Sequence, residues 1–157
     1  MIKIKIICVG KIKENYLNLG ISEYLKRLSS YARVEIIEVK DEKISGKDSE
    51  EHIKECEGKR IVEKLDKEYY NIFLDVFGKE LSSEEFATYT QKLIDSGKGN
   101  ICFVIAGSLG FSSYALKFAD FRLSFSKFTF THQMIRLLLL EQIYRVFKIN
   151  NNEVYHK

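Results

Sequence analysis

The chain alternates between two hydrophobic periods. Ile2 to Val9 interleaves lysine with isoleucine before running apolar, which predicts a strand, whereas from Glu14 to Ser30 the apolar residues Leu17, Ile21, Tyr24, Leu25 and Leu28 recur at helical spacing. The alternation then repeats. Val34 to Val39 predicts a second strand, Asp41 to Asp48 a charged, glycine-containing loop, and Ser49 to Lys67 a helix of Glu and Lys with Ile53, Ile61, Val62 and Leu65 facing inward. Asn71 to Val76 follows as a strand closed by a turn at Gly78. Ser82 or Ser83, with Glu85 nearby, starts a helix running to about Ser96. Ile101 to Ala106 is a fourth strand, Ser112 to Phe118 a short helix, Phe121 to Phe125 a short strand and Thr131 to Phe147 a final helix.

Strands separated by helical crossovers predict an α/β fold, a mostly parallel sheet with helices on both faces. Ligands of such sheets collect at the carboxyl ends of the strands, near the point where strand order reverses. Three strand ends attract attention: Leu74 to Gly78, Ala106 to Gly110 and Phe125 to Phe130. Glycines there leave main-chain N–H and C=O groups bare, so one pocket built from backbone is expected. The final helix adds a second expectation. Between Met134 and Phe147 only Arg136, Glu141, Gln142 and Arg145 are polar, and they scatter around the helix, so it needs cover on nearly every side. A homodimer with this helix in the interface would supply it.

With 157 residues the chain is expected to form one domain, residues 1–157, with a sizeable core. The three cysteines, Cys8, Cys56 and Cys102, are widely spaced and lack a histidine set suited to zinc, so no metal site and a reduced, cytoplasmic setting are expected. No apolar run approaches the roughly 18 residues that span a membrane. Net charge is only +3, yet from Ala106 onward seven basic residues face three acidic ones. A nucleic-acid or phosphate-bearing partner favours that excess; solvated lysines give the same count.

The familiar nucleotide and nucleophile signatures are absent: there is no G-x-G-x-x-G after the first strand, no P-loop, no G-x-S-x-G and no acid–base carboxylate pair in the C-terminal half. A backbone pocket beside basic and aromatic side chains suits group transfer from a cofactor that is already reactive, such as a sulfonium methyl donor.

The ordered set VGKIKE at Val9, LDVFGKELSSEEFA at Leu74, FVIAGSLG at Phe103, LSFSKFTFTHQMIRLLLLEQIYRVFKI at Leu123 and a terminal EVYHK resembles, over essentially the whole chain, the ribosomal RNA large-subunit methyltransferase H family of the SPOUT superfamily. The resemblance implies a minimal α/β methyltransferase with a C-terminal trefoil knot, acting as a homodimer. It also implies S-adenosyl-L-methionine as donor and N3 of a pseudouridine in large-subunit (23S) rRNA, on the assembled ribosome, as acceptor. Carried over, the cofactor pocket falls on Leu74, Ala106, Gly107, Phe125, Ser126, Lys127, Phe128, Thr129 and Phe130, with Leu74 and Phe128 flanking adenine. For the chemistry, His156 is expected to take the N3 proton, Tyr155 to stack on the base, and Arg136 and Arg145 to hold phosphate or developing negative charge. His132 is expected to be structural. Two positions depart from the family pattern: Ala106 stands where glycine is usual and Thr131 where proline is usual. The rival reading is a non-catalytic RNA-binding module on the same scaffold.

Overall fold

The computed structural model describes all of residues 1–157. Its elements are β1 (Ile2–Val9), α1 (Asn15–Leu28), β2 (Ala32–Val39), α2 (Glu50–Lys64), β3 (Tyr70–Glu80), α3 (Ser83–Asp95), β4 (Ile101–Ile105), α4 (Ser113–Leu116), β5 (Phe121–Ser124) and α5 (His132–Asn150). The five strands form one parallel sheet in the order β2-β1-β4-β3-β5. The period of two along each strand sorts side chains between two cores. Ile101, Phe103 and Ile105 of β4 join Ile4, Ile6 and Cys8 of β1 beneath α1, α3 and α5, whereas Cys102, Val104, Ile7 and Val9 point to the face covered by α2 and α4. The central strand β4 is buried throughout, as its unbroken apolar run requires. Burial pushes the Cys8 and Cys102 thiols up to about 12, so both act as small hydrophobes.

Gly78 is not a turn. β3 continues to Glu80, and Leu74 and Lys79 both pair with Leu123 of β5, so residues 75 to 78 bulge out of the ladder. Glycine is needed at 78 because β5 runs against its backbone: a β-carbon there would lie 2.5 Å from the Arg122 carbonyl oxygen. Arg122 holds the bulge through Asp75, its Nε donating at 2.8 Å. The bulge leaves Val76 and Phe77 exposed.

Helix α5 runs three residues past the expected end and wedges between α1 and α3 over the sheet. Arg136, Leu139, Leu140, Ile143, Tyr144, Val146 and Phe147 are buried, and no residue from His132 to Asn150 is fully exposed. The fold therefore supplies more of the cover for this helix than the sequence pattern suggested. Thr131 is its N-cap, Oγ1 accepting the Met134 N–H at 3.2 Å. The hydroxyl thus does the work of a first-turn proline, and Thr131→Ala is expected to lower stability by about 1 kcal/mol in denaturant melts.

Candidate active site

The chain leaves β4 toward the α2/α4 face but leaves its neighbours β1 and β3 toward the α1/α3/α5 face. Crevices therefore open on both sides of the β4 tip, the place where α/β sheets receive ligands. Leu74 stands in register with Ile105 of β4 and with Leu123 of β5. Leu74, where β3 bulges, thus lies beside the ends of β4 and β5, so Leu74, Ala106, Gly107 and the Phe125–Phe130 loop belong to one region of the sheet.

The main chain of these loops is largely unspent. Within the β4–α4 loop the Gly110 N–H donates to the Gly107 carbonyl at 3.1 Å; in the β5–α5 loop the Phe128 N–H donates to Ser126 Oγ and the Ser126 carbonyl accepts from Ser124 Oγ. The N–H and C=O groups of Ala106, Phe125, Lys127, Thr129 and Phe130 have no partner in the chain. Buried or half-buried backbone in that state calls for a ligand or solvent, and Ala106 is buried. Ala106 also sits outside the left-handed region, so the methyl that replaces the usual hydrogen costs no backbone strain. Gly107 needs its bare Cα for space: a β-carbon there would meet Glu57 Oε1 at 2.7 Å and Val9 Cγ1 at 3.2 Å. Phe128 is exposed and Leu74 half-buried, so both side chains remain accessible.

A cavity of about 210 Å³ adjoins this edge, lined by Ser82, Ser83, Phe125, Phe130, Leu138 and Gln142 among others. Gln142 leads from it to the C-terminal tail. Its Oε1 accepts from the Ser83 hydroxyl at 2.7 Å and its Nε2 donates to Glu141 at 2.8 Å. Glu141 in turn accepts from the Tyr155 hydroxyl at 3.1 Å and from Arg145 Nε at 3.1 Å, so the sequence-visible Glu141–Arg145 pair anchors the tail. The Tyr155 ring packs edge-on against Tyr144 and beneath the Arg145 guanidinium, 4.8 Å away. Burial first, then the Tyr24 and Glu141 partners, raise the Tyr155 hydroxyl, so it remains a donor. His156 is gripped from both sides: Arg145 Nη1 lies 3.0 Å from Nδ1 and Glu84 Oε1 lies 2.7 Å from Nε2. Arginine only donates, so Nδ1 carries the lone pair and Nε2 the proton. The hydrogen bond from His156 holds the Glu84 carboxyl below the usual carboxylate range.

Arg136 does not join this group. Its side chain is buried at the far end of the edge, Nη1 donating to Glu38 at 2.7 Å and Nη2 to the Gly10 carbonyl at 3.1 Å. In this chain it ties α5 to the ends of β1 and β2, because i−4 from it lies His132 and both face Gly10. Replacing Arg136 with Met is expected to cost about 2–4 kcal/mol in thermal unfolding, through the unpaired Gly10 carbonyl and Glu38. His132 abuts Gly10, its Nε2 lying 3.7 Å from where a glycine-replacing β-carbon would sit. Burial first and Arg136 second lower its pKa from the ordinary 6.5, opposed by Asp41 and Glu14. The folded state thus binds this proton less readily than the unfolded one, and the stability His132 supports above pH 6.5 is lost as pH falls through the folded value. In denaturant titrations at about pH 7.5 and about pH 5, the stability of the wild type relative to His132→Asn is expected to fall at the lower pH.

Sequence reasoning passed over Glu57, Ser83, Glu84 and Gln142. Glu57 is one carboxylate in a helix full of them, and nothing in its spacing marks it; Ser83 and Glu84 read only as a helix start.

A five-stranded parallel sheet with helices on both faces has the architecture of a SPOUT-type α/β enzyme, and the model of the predicted SPOUT methyltransferase family matches residues 2–156. The chain belongs to that family. It is 54% identical to the ribosomal RNA large subunit methyltransferase H of Clostridioides difficile (strain 630), over 98% of this chain and 99% of that protein. To the protein of the same name from Bacillus thuringiensis (strain Al Hakam) it is 52% identical over 98% and 99%. Among solved structures it is similar to a probable methylase family protein from Haemophilus influenzae Rd KW20, with a TM-score of 0.52 and 14% identity. That likeness of fold covers 95% of this chain, which spans 66% of the solved one.

Proposed function

We propose that the chain methylates large-subunit rRNA, using S-adenosyl-L-methionine as donor and N3 of a pseudouridine as acceptor. The observation that supports this reading is the set of unspent main-chain groups of Ala106 after β4 and of Phe125, Lys127, Thr129 and Phe130 after β5, beside Leu74 of β3. The donor supplies an already activated methyl group when bound. Leu74, Ala106, Gly107 and Phe125 to Phe130 would hold its adenosine, main-chain amides and carbonyls reading the adenine edge and Leu74 and Phe128 covering its faces. The aromatic lining and free backbone groups suit a purine and offer no phosphate cradle.

Pseudouridine N3 carries a proton that must leave as the methyl arrives. His156 Nδ1 is the basic atom that the tautomer leaves available, and Arg145 now covers it; the base takes the place of Arg145, which turns to the developing charge. Tyr155 stacks on the base. In this reading each active site takes its tail from a second copy, in a homodimer whose C-terminal segment is threaded as a trefoil knot. Val76, Phe77, Phe128 and Phe130 stay exposed on the bulge and the β5–α5 loop, an apolar surface suited to a partner subunit. The acceptor is the rRNA of the assembled ribosome.

Calorimetry with S-adenosyl-L-methionine is expected to give saturable binding, and mass spectrometry of rRNA from cells lacking the protein a large-subunit fragment lighter by one methyl group. Absence of donor binding would favour the non-catalytic RNA-binding module instead.

A further inference from the structure

Among the carboxylates of the chain, only Glu84 bonds the imidazole of His156, its Oε1 accepting from Nε2 at 2.7 Å. It stands in the first turn of α3, where Ser82 and Glu85 close a capping box, and the hydroxyl of neighbouring Ser83 ties the same turn to Gln142 of α5. The carboxylate therefore rides on backbone fixed both at the helix start and at the contact between α3 and α5. Its side chain is 65% exposed, so it keeps its charge without a cost of burial.

Little else holds His156. The main chain of residues 154–157 makes no hydrogen bond, and the polar contacts of the ring are Arg145 at Nδ1 and Glu84 at Nε2. When Arg145 gives up Nδ1 to the acceptor, Glu84 is the polar contact that remains. Without it the ring would turn freely about its side-chain bonds, and a base that must first be oriented loses the advantage of being placed beforehand. Glu84 and the tail belong to one chain, so the pair enters a site as a unit.

We infer that Glu84 is a positioning residue for methyl transfer: it holds the His156 ring by Nε2, aims Nδ1 at the acceptor and balances the charge of the imidazolium that forms. The inference rests on the proposed role of His156 as the base. The N3 proton goes to Nδ1, while Nε2 keeps its own proton and its bond to Glu84. The electron pair left on N3 forms the bond to the methyl carbon, whose bond to sulfur breaks with its pair staying on sulfur.

Methyl transfer to ribosomes from cells lacking the protein, with radiolabelled S-adenosyl-L-methionine, tests it. Glu84→Ala is expected to lower kcat about 10-fold, less than His156→Ala because the bond is open to solvent, with KM for ribosomes and Kd for the donor within about twofold of the wild type. Glu84→Gln keeps an acceptor oxygen without the charge, and its kcat is expected to fall between the two. A role through the ring also requires non-additivity: added to His156→Ala, Glu84→Ala is expected to change the rate by less than about twofold. An equal loss in both backgrounds would make Glu84 a support of the α3 start and overturn the inference, as would an unchanged kcat in both single variants. If His156→Ala itself leaves turnover unaltered, the base is wrong and the inference goes with it; if His156→Ala slows turnover and the Glu84 variants do not, the inference alone falls.

Discussion

Removal of Tyr155, His156 and Lys157 is expected to lower methyl transfer by about 100- to 10,000-fold, the span that positioned acid–base groups supply, while the Kd for S-adenosyl-L-methionine stays within about twofold. The separation follows from where the tail lies. Its contacts are to Glu141, Tyr144 and Arg145 of α5, Tyr24 of α1 and Glu84 of α3, and none is to the loops from Ala106 or Phe125. Single substitutions divide the effect. Tyr155→Phe keeps the ring against Tyr144 and loses the hydroxyl bond to Glu141, so a modest loss is expected; His156→Ala removes the Nδ1 lone pair and is expected to account for most of it. Quantifying methylated rRNA in single-turnover reactions, alongside calorimetry, checks both. Turnover unaltered by the truncation would remove the tail from the mechanism.

Gly107→Leu carries the second large effect, expected to abolish donor binding at concentrations that saturate the wild type. The new β-carbon would arrive 2.7 Å from Glu57 Oε1 and 3.2 Å from Val9 Cγ1, and one of these is the end of a side chain that can turn, so the fold survives. Overpacking of this kind costs about 1–3 kcal/mol, which thermal melting will register as a lowered but cooperative transition. Accommodating the leucine therefore moves the loop that carries Ala106 and Gly107. A folded Gly107→Leu protein that binds donor normally would show that the pocket lies elsewhere.

Much of the framework was legible because local chemistry dictates it. The two periods placed ten elements in order, the unbroken run at β4 marked the central strand, and Ser82 with Glu85 forms the capping box that their spacing announced. Ala106, Gly107 and the Phe125–Phe130 loop were legible as strand ends, whereas Leu74, read as one, is followed by a bulge and β3 continues to Glu80. Gly78 was misread with it: a glycine needed for close approach of β5 looks in sequence like one needed for a turn. Where the Arg136 guanidinium lies, against Glu38 and the Gly10 carbonyl, was not legible because charge alone does not say whether a guanidinium meets solvent or a carbonyl. In α5 the polar residues scatter around the wheel because their partners arrive separately, Arg136 meeting β1 and β2, Gln142 meeting α3, and Glu141 with Arg145 meeting the tail.

By itself, then, the order of residues determined a parallel α/β sheet, its central strand, the tips of β4 and β5 and the family pattern around them, since each depends on neighbours a few positions away. Tertiary structure alone decided that β4 sits between β1 and β3, that Glu57 comes to rest against Gly107, and that the tail folds back onto α5. Those pairings range from Arg145 with His156, 11 positions apart, to Ile4 with Ile101 across the sheet, and they are settled by which surfaces can be buried together, a property of the whole fold that no short stretch of chain contains.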